Sequence, residues 1–299
     1  MDRELLAHFP LVLAVARRGG FAAAAAELDM SPSAVSHAVK AVEDRLGMPL
    51  FARTTRSVSL TEAGSAFVAT VGPALADIGD AVERIRADKG KVTGLLRLNV
   101  PRVALQMALT PVIAQMAWRH PELTVEITSE DGLVDIVANG YDAGVRLGEM
   151  IAEDMVAIRL TPPFKAIMVA APGYLAAKGE PASIAQLRAH NCIGFRLLAS
   201  GGVYAWELRE NGADVSARVH GTARVSDPLY ARELALAGVG IAYVFEPLVR
   251  VDIHEKRLRW IIPDAAIEEP GLFLYFPRRA SGTPKLRAFI DVAREVLRP

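Results

Sequence analysis

The segment Ser31-Pro32-Ser33-Ala34-Val35-Ser36-His37-Ala38-Val39-Lys40 decides the fold. Ser31 is a good N-cap, and Pro32 suits the first helical position, where a missing N–H has no partner to lose. Ala34, Val35, Ala38, Val39, Val42 and Leu46 form an apolar stripe, and Gly47 stops the helix. Upstream, Phe21, Ala24, Ala25 and Leu28 repeat the helical spacing, with only Asp29-Met30 as the turn between the two helices. Phe9, Val12, Val15 and Ala16 mark an earlier helix, with Pro10 in its first turn and Gly19-Gly20 as the break after it. Two helices joined so tightly form either an ordinary helical hairpin or a helix-turn-helix, whose second helix enters the DNA major groove by its N-terminal end.

The residues that follow favour the second reading. Leu50-Phe51 and Ser57-Val58-Ser59-Leu60 read as short extended segments around Arg53-Thr54-Thr55-Arg56, a wing whose basic tip suits phosphates or the minor groove. Residues 31–61 hold Lys40, Arg45, Arg53 and Arg56 against Glu43 and Asp44. From there a long helix, capped by Thr61 or Ser59, spaces Val71, Leu75, Ile78, Val82 and Ile85 by alternating fours and threes, a coiled-coil seam. A lone helix of about 25 residues, roughly 37 Å long, has little core to cover such a seam, so dimerisation through it is expected. Gly72-Pro73 should kink the helix or break one turn. A polar hinge, Asp88-Lys89-Gly90-Lys91 and then Thr93-Gly94, follows.

Beyond it, strands and helices alternate: Leu95 to Val100, a helix over 104–118, Thr124 to Thr128, a helix over 131–138, and Ala143 to Leu147. That alternation predicts an α/β domain with a parallel sheet. Ile167 to Ala171, Cys192 to Phe195 and Gly240 to Phe245 belong to a second lobe, and Leu272 to Phe276 with an amphipathic helix over 284–297 closes the chain. The division expected is 1–62 for the winged helix-turn-helix, 63–91 for the linker helix and hinge, and 92–299 for a two-lobed domain. Lobe I takes about 92–163 and 267–299, and lobe II about 164–266.

Composition agrees with this division and narrows the class. The chain has 299 residues, of which 52% are hydrophobic, enough for two domains with cores. Lysine plus arginine and aspartate plus glutamate both number 34, so the DNA signal is local rather than global. One cysteine, Cys192, excludes an internal disulfide framework and points to a reducing, cytoplasmic setting. No apolar run approaches the 18 or so residues of a membrane span. The six histidines show no metal-ligand spacing, and nucleophile elbows, phosphate loops and dinucleotide fingerprints are lacking, so neither an enzyme nor a cofactor is expected.

Phe21, Ala24-Ala25, Leu28, Ser31, Ser33-Ala34-Val35-Ser36, Glu43, Leu46-Gly47, Leu50-Phe51, Arg53, Arg56, Leu60-Thr61 and Ala63-Gly64 together resemble the LysR-type transcriptional regulators. The resemblance extends through 135–142 and 145–148 to the C-terminus, which looks like the family's effector-binding domain, related in fold to periplasmic binding proteins. It implies a homodimer or homotetramer on a pseudo-palindromic operator in double-stranded DNA, an effect on RNA polymerase, and control by a small effector. The family's base-contacting positions fall on Pro32, Ser33, Ser36 and His37, beside Ser31, with Lys40, Arg53 and Arg56 for phosphates. The sequence departs from the family at Pro32 and His37, where glutamine and arginine are common. Histidine still hydrogen-bonds a guanine, with shorter reach.

Residues just past strand ends nominate an effector site: Arg102, Ser129, Arg146, Phe195, Arg196 and Ser226. Arginines at a cleft mouth suit an anionic effector, although Arg146 could equally be paired with Asp142 or Glu149. Two further readings remain: a small-molecule-binding protein whose helices only dimerise, and an enzyme. The first leaves the basic wing and the serine-lined helix without a purpose.

Overall fold

The computed structural model describes residues 3–53, 58–87, 92–132, 134–148, 151, 155–198 and 200–298. Helices α1 (Arg3–Arg18), α2 (Phe21–Glu27) and α3 (Pro32–Leu46) close their apolar stripes over Val12, Val15, Ala24, Val35, Val39 and Val42. Ser31 Oγ accepts the Ala34 N–H at 3.2 Å to start α3, and Gly47, at φ 70°, ends it. The turn before α3 is longer than Asp29-Met30: α2 stops at Glu27 and the chain reverses through Asp29 at φ 52°, a conformation aspartate tolerates. Pro10 lies inside α1 rather than in its first turn, because the helix already begins at Arg3. There it removes one bond of the ladder.

Strands β1 (Phe51–Arg53) and β2 (Val58–Leu60) pair antiparallel, with Phe51 opposite Leu60. The wing tip, Arg56 included, lies outside the described residues. Thr61, not Ser59, caps the next helix, accepting the Gly64 N–H at 3.0 Å and donating to the Pro49 carbonyl at 2.8 Å. A Cβ on Gly64 would stand 2.0 Å from the Leu50 carbonyl oxygen, so only glycine lets this helix start so close to the wing. Helix α4 (Glu62–Ala87) runs unbroken through Gly72-Pro73, so of the kink or broken turn expected there the broken turn does not occur. Its first half leans on α1, with the Phe9 and Phe67 rings edge to face at 5.0 Å, and that packing holds the turn around the proline.

Lobe I holds β3 (Gly94–Val100), α5 (Arg102–Ala104), a five-residue π-turn Leu105–Leu109, α6 (Thr110–Arg119), β4 (Leu123–Ser129), β5 (Ala143–Leu147) and β6 (Met155–Arg159). Lobe II holds β7 (Phe164–Ala170), α7 (Pro172–Lys178), β8 (Gly194–Phe195), β9 (Trp206–Glu210), β10 (Ala213–Ala217), β11 (Arg224–Val225), α8 (Pro228–Leu236), β12 (Ala242–Phe245), α9 (Glu246–His254), β13 (Arg259–Ile261) and β14 (Ile267–Glu269). The chain then returns to lobe I as β15 (Leu272–Pro277) and α10 (Pro284–Leu297).

The lobe I sheet has the order β4-β3-β5-β15-β6 and is mixed, not parallel throughout. β3 runs parallel to β4 and β5, whereas β15 is antiparallel to β5 and β6, because it re-enters from the lobe II side. In lobe II, β7 is buried on both faces: Ile167 and Val169 point into one core, Met168 and Ala170 into another. The described residues of 131–138 do not form the helix expected there. The Asp135 carboxylate accepts the Val137 and Ala138 N–H groups at 2.9 Å each, and Gly140 at φ 69° turns the chain instead. Where the two crossing segments pass, Leu160 N–H donates to the Leu272 carbonyl at 2.8 Å and Leu272 N–H to Thr161 Oγ1 at 2.9 Å. Two hydrogen-bonded strands therefore connect the lobes. No single helix among the described residues is long and apolar enough to cross a membrane.

Candidate DNA interface and ligand cleft

Helix α3 buries Val35, Ala38, Val39 and Val42 and leaves Ser31, Pro32, Ser33, His37 and Lys40 exposed, with Ser36 half-buried. The hydroxyls of Ser31 and Ser33 are 3.0 Å apart. Arg53 is drawn back to this helix: Nη2 donates to Glu43 Oε2 at 3.0 Å, Nη1 to Ser36 Oγ at 3.4 Å, and its guanidinium lies 4.4 Å over the Phe21 ring. Glu43 Oε1 meanwhile accepts the Leu50 and Phe51 N–H groups at 2.8 and 3.1 Å. One carboxylate thus joins the wing to α3. In the sequence Glu43 counts as a charge and as one residue of the family resemblance; its hydrogen-bond partners lie seven to ten residues away, so no local pattern reveals the tie.

The seam of α4 divides. Val71 and Leu75 are half-buried, and Leu75 lines a space of about 460 Å³ between the N-terminal domain and lobe I, with Pro10, Leu13, Tyr141 and Pro277. Ile78, Val82 and Ile85 are 61%, 44% and 71% exposed.

Between the lobes lies a cavity of about 370 Å³. Lobe I contributes Pro101, Val103, Asp131, Arg146 and Leu147, and lobe II contributes Phe195, Tyr204, Glu207, Tyr243, Phe245 and Glu269. Arg146 is only 2% exposed. Nη1 donates to the Val145 carbonyl at 2.7 Å, and Nη2 to Asn99 Oδ1 at 2.6 Å and the Gly132 carbonyl at 2.7 Å. Burial pushes its pKa down, because desolvation disfavours the charged form. It does not pair with Asp142, which instead takes Lys285 Nζ at 2.9 Å and the Arg97 N–H at 2.7 Å; Glu149 lies outside the described residues.

Arg102 stands outside the lining. Its backbone N–H meets Asp131 Oδ1 at 3.0 Å, Nε lies 3.4 Å from Asp131 Oδ2, and Nη1 crosses to Asp227 Oδ2 at 3.1 Å. Ser129 ends β4 exposed, Arg196 is exposed and donates to the Gly201 carbonyl at 2.8 Å, and Ser226 is absent from the lining. Of the six nominated residues, the structure brings Arg146 and Phe195 to the cavity. Both nominated arginines spend donors on the protein itself, Arg102 on Asp131 and Asp227, and Arg146 on Asn99 and the Val145 and Gly132 carbonyls. Tyr204, Glu207, Tyr243, Phe245 and Glu269 escaped notice, although β12 alternates buried and half-buried, and its two aromatic residues occupy the half-buried positions. The Tyr243 hydroxyl donates to the Glu207 carbonyl at 2.6 Å; burial, then the nearby Tyr204, Glu269 and Glu207, push its pKa up. Cys192 is buried, and desolvation pushes its thiol up to about 12.

Residues 6–65 match the model of the bacterial regulatory helix-turn-helix proteins of the lysR family, and residues 89–298 match that of the LysR substrate binding domain. The chain is 36% identical to the uncharacterised HTH-type transcriptional regulator YcaN of Escherichia coli, over 98% of this chain and 95% of that one. It is 34% identical to the HTH-type transcriptional regulator PgrR of the same species, over 97% of each chain. The structure of CrgA, a LysR-type transcriptional regulator from Neisseria meningitidis, superposes with a TM-score of 0.62 at 27% identity, covering 99% of each chain.

Proposed function

The chain belongs to the LysR-type transcriptional regulators, DNA-binding proteins with an effector-binding domain and not enzymes, and from that premise we propose how its own residues divide the work. Ser33, Ser36 and His37 read base edges from the N-terminal half of α3, with Ser31 and Pro32 at the groove and Lys40 on a phosphate. Arg56 meets the backbone from the wing, while Arg53 aligns the wing and offers phosphate the part of its guanidinium that stays exposed. The observation that carries this is the face of α3: its polar side chains are exposed where its apolar ones are buried.

Residues 1–62 bind DNA, 63–91 dimerise and 92–299 sense the effector. Val71 and Leu75 fasten α4 to its own chain, and Ile78, Val82 and Ile85 meet a second α4. Paired subunits, as a dimer or a dimer of dimers, suit a pseudo-palindromic operator, since two-fold protein symmetry is mirrored in the half-sites. Regulation through RNA polymerase in the cytoplasm follows from this reading. The effector occupies the inter-lobe cavity, where Phe195 forms part of the wall and Arg146 part of the floor. A gel-shift assay with the DNA upstream of the protein's own coding region tests the reading: retardation that Lys40→Ala weakens supports it, and no retardation even at low salt rejects it.

A further inference from the structure

The space between the N-terminal domain and lobe I, at about 460 Å³, is larger than the cavity between the lobes, at about 370 Å³. Small-molecule pockets span about 300–1,000 Å³ and are common at domain boundaries. Its wall is mostly apolar: Leu13, Leu28, Val68 and Leu75 come from the N-terminal helices, and Val137 and Tyr141 from lobe I. The prolines inside α1 and α4, Pro10 and Pro73, both line it, so two rigid rings stand where each helix gives up a ladder hydrogen bond. Beside Pro73, a Cβ on Gly72 would meet only Leu13 Cδ2, at 3.9 Å. An ordered water needs two to four polar partners, and such a wall offers few.

Among the described residues, three charged side chains line this space, those of Arg17, Asp142 and Arg279. Two are already answered by the protein. Arg17 pairs with Glu27, and Asp142 takes Lys285 Nζ at 2.9 Å through Oδ1 and the Arg97 N–H at 2.7 Å through Oδ2. Arg279, on the turn after β15, is exposed and has no hydrogen-bond or ion-pair partner among the described residues. An apolar interior is thus bordered by one unanswered guanidinium, whose planar fork matches a carboxylate.

We propose that this junction is a second ligand site, separate from the inter-lobe cavity, and that it takes a compact apolar monocarboxylate. The hydrocarbon frame lies against Leu13, Leu75 and Tyr141, and the carboxylate turns to Arg279 at the rim. Because the walls come from both domains, an occupant makes all its contacts only while the N-terminal domain is docked on lobe I. It favours that arrangement by its difference in affinity for the docked and undocked forms.

Calorimetry on the full chain tests this with two matched sets of probes: hexanoate, 1-hexanol and hexylamine, and 3-phenylpropanoate, 3-phenylpropanol and 3-phenylpropylamine. In at least one set the acid binds about fivefold or more tightly than the alcohol, and the amine binds most weakly. Arg279→Gln, at an exposed position where folding is not at stake, brings the acid to within about twofold of the alcohol. Gly72→Leu fills the space from α4 and weakens acid and alcohol alike, about tenfold or more. Hydrogen exchange with the bound acid shows protection in 68–76 and 137–142 together. Leu197→Trp, which fills the inter-lobe cavity from its exposed rim, leaves the acid's affinity unchanged. No probe binding at about 10 mM, an acid no tighter than its alcohol, acid binding unmoved by Arg279→Gln, or protection confined to the inter-lobe walls overturns the proposal. Binding lost in Leu197→Trp but kept in Gly72→Leu also overturns it, and places the acid in the cavity between the lobes.

Discussion

Arg102 at the start of α5 and Asp227 at the start of α8 meet at 3.1 Å across the two lobes. Asp227 has a second duty, because its Oδ1 caps α8 by accepting the Leu229 N–H at 2.9 Å. Lobe closure and the first turn of a lobe II helix therefore share one carboxylate.

Arg102→Met removes the crossing bond and keeps the length of the side chain. The pair is partly exposed, 38% and 30%, so its worth is about 0.5–1 kcal/mol, a two- to fivefold change in the ratio of closed to open forms. Small-angle scattering of the ligand-free protein should show a larger radius of gyration, and an unchanged profile would remove the pair from the account of closure.

Glu43→Ala strips the acceptor from Leu50 N–H, Phe51 N–H and Arg53 together. Stability in urea should fall by about 1–3 kcal/mol, since two of the stranded donors are backbone groups at a part-buried site. Glu43→Gln retains Oε1 as an acceptor and should lose less than half as much. Equal losses for the two variants would place the effect in charge rather than in the tie to the wing.

His37→Ala and Lys40→Ala separate base reading from backbone holding. The first should lower affinity unevenly across operator variants, by about 1–3 kcal/mol at the base it reads. The second should weaken every sequence alike and reduce the salt slope by about one. A uniform loss for His37→Ala would reassign it to phosphate.

Ile85→Asp places a charge on an exposed apolar position of α4, as does Ile78→Asp. Sedimentation should show dissociation to lower oligomers with folding intact, because both side chains are free of the chain's own core. Unchanged sedimentation for both variants would move the dimer contact off the seam.

Cys192 keeps its proton in the folded state up to about 12, whereas the unfolded thiol loses it from about 9. The native state thus binds the proton more tightly, and the resulting stability is intact below pH 9 and lost as pH climbs toward 12, at most about 1.4 kcal/mol per unit. The stability gap between the protein and Cys192→Ala should narrow between pH 8.5 and 10.5, and the native thiol should resist alkylating reagents. A gap constant with pH would contradict the burial of the sulfur.

The winged domain was legible in sequence because its signals are local: Ser31 caps within three residues, Gly47 stops α3, and the stripe from Val35 to Val42 repeats at helical spacing. The cleft was less so. Strand ends drew attention to Arg146 and Phe195, which line the cavity, but a strand end does not say which way a side chain leans, and Ser129, Arg196 and Ser226 are absent from the lining. Arginine read as an anion trap because charge is visible in sequence while partners such as Asn99 and Asp227 are not. Pro10 suggested a first turn and Gly72-Pro73 a kink or a broken turn, yet both prolines lie inside helices, where the packing of α1 against α4 outweighs one missing hydrogen bond.

The π-turn Leu105–Leu109 takes up one extra residue in the helical run from Arg102 to Arg119. Thr110 N–H reaches back to the Leu105 carbonyl, its hydroxyl donates to the same oxygen at 2.7 Å, and Pro111 has no N–H to offer the ladder. A π-turn holds one residue more than α geometry would. Deleting a residue there would restore an unbroken α-helix and leave Arg102 aimed nearly as before, because the i→i+5 turn fits five residues where α geometry fits four. The electrostatic clasp between the lobes is thus insulated from this change in chain length: a gene that lost one codon between 105 and 109 would keep both the helix and the aim of its arginine.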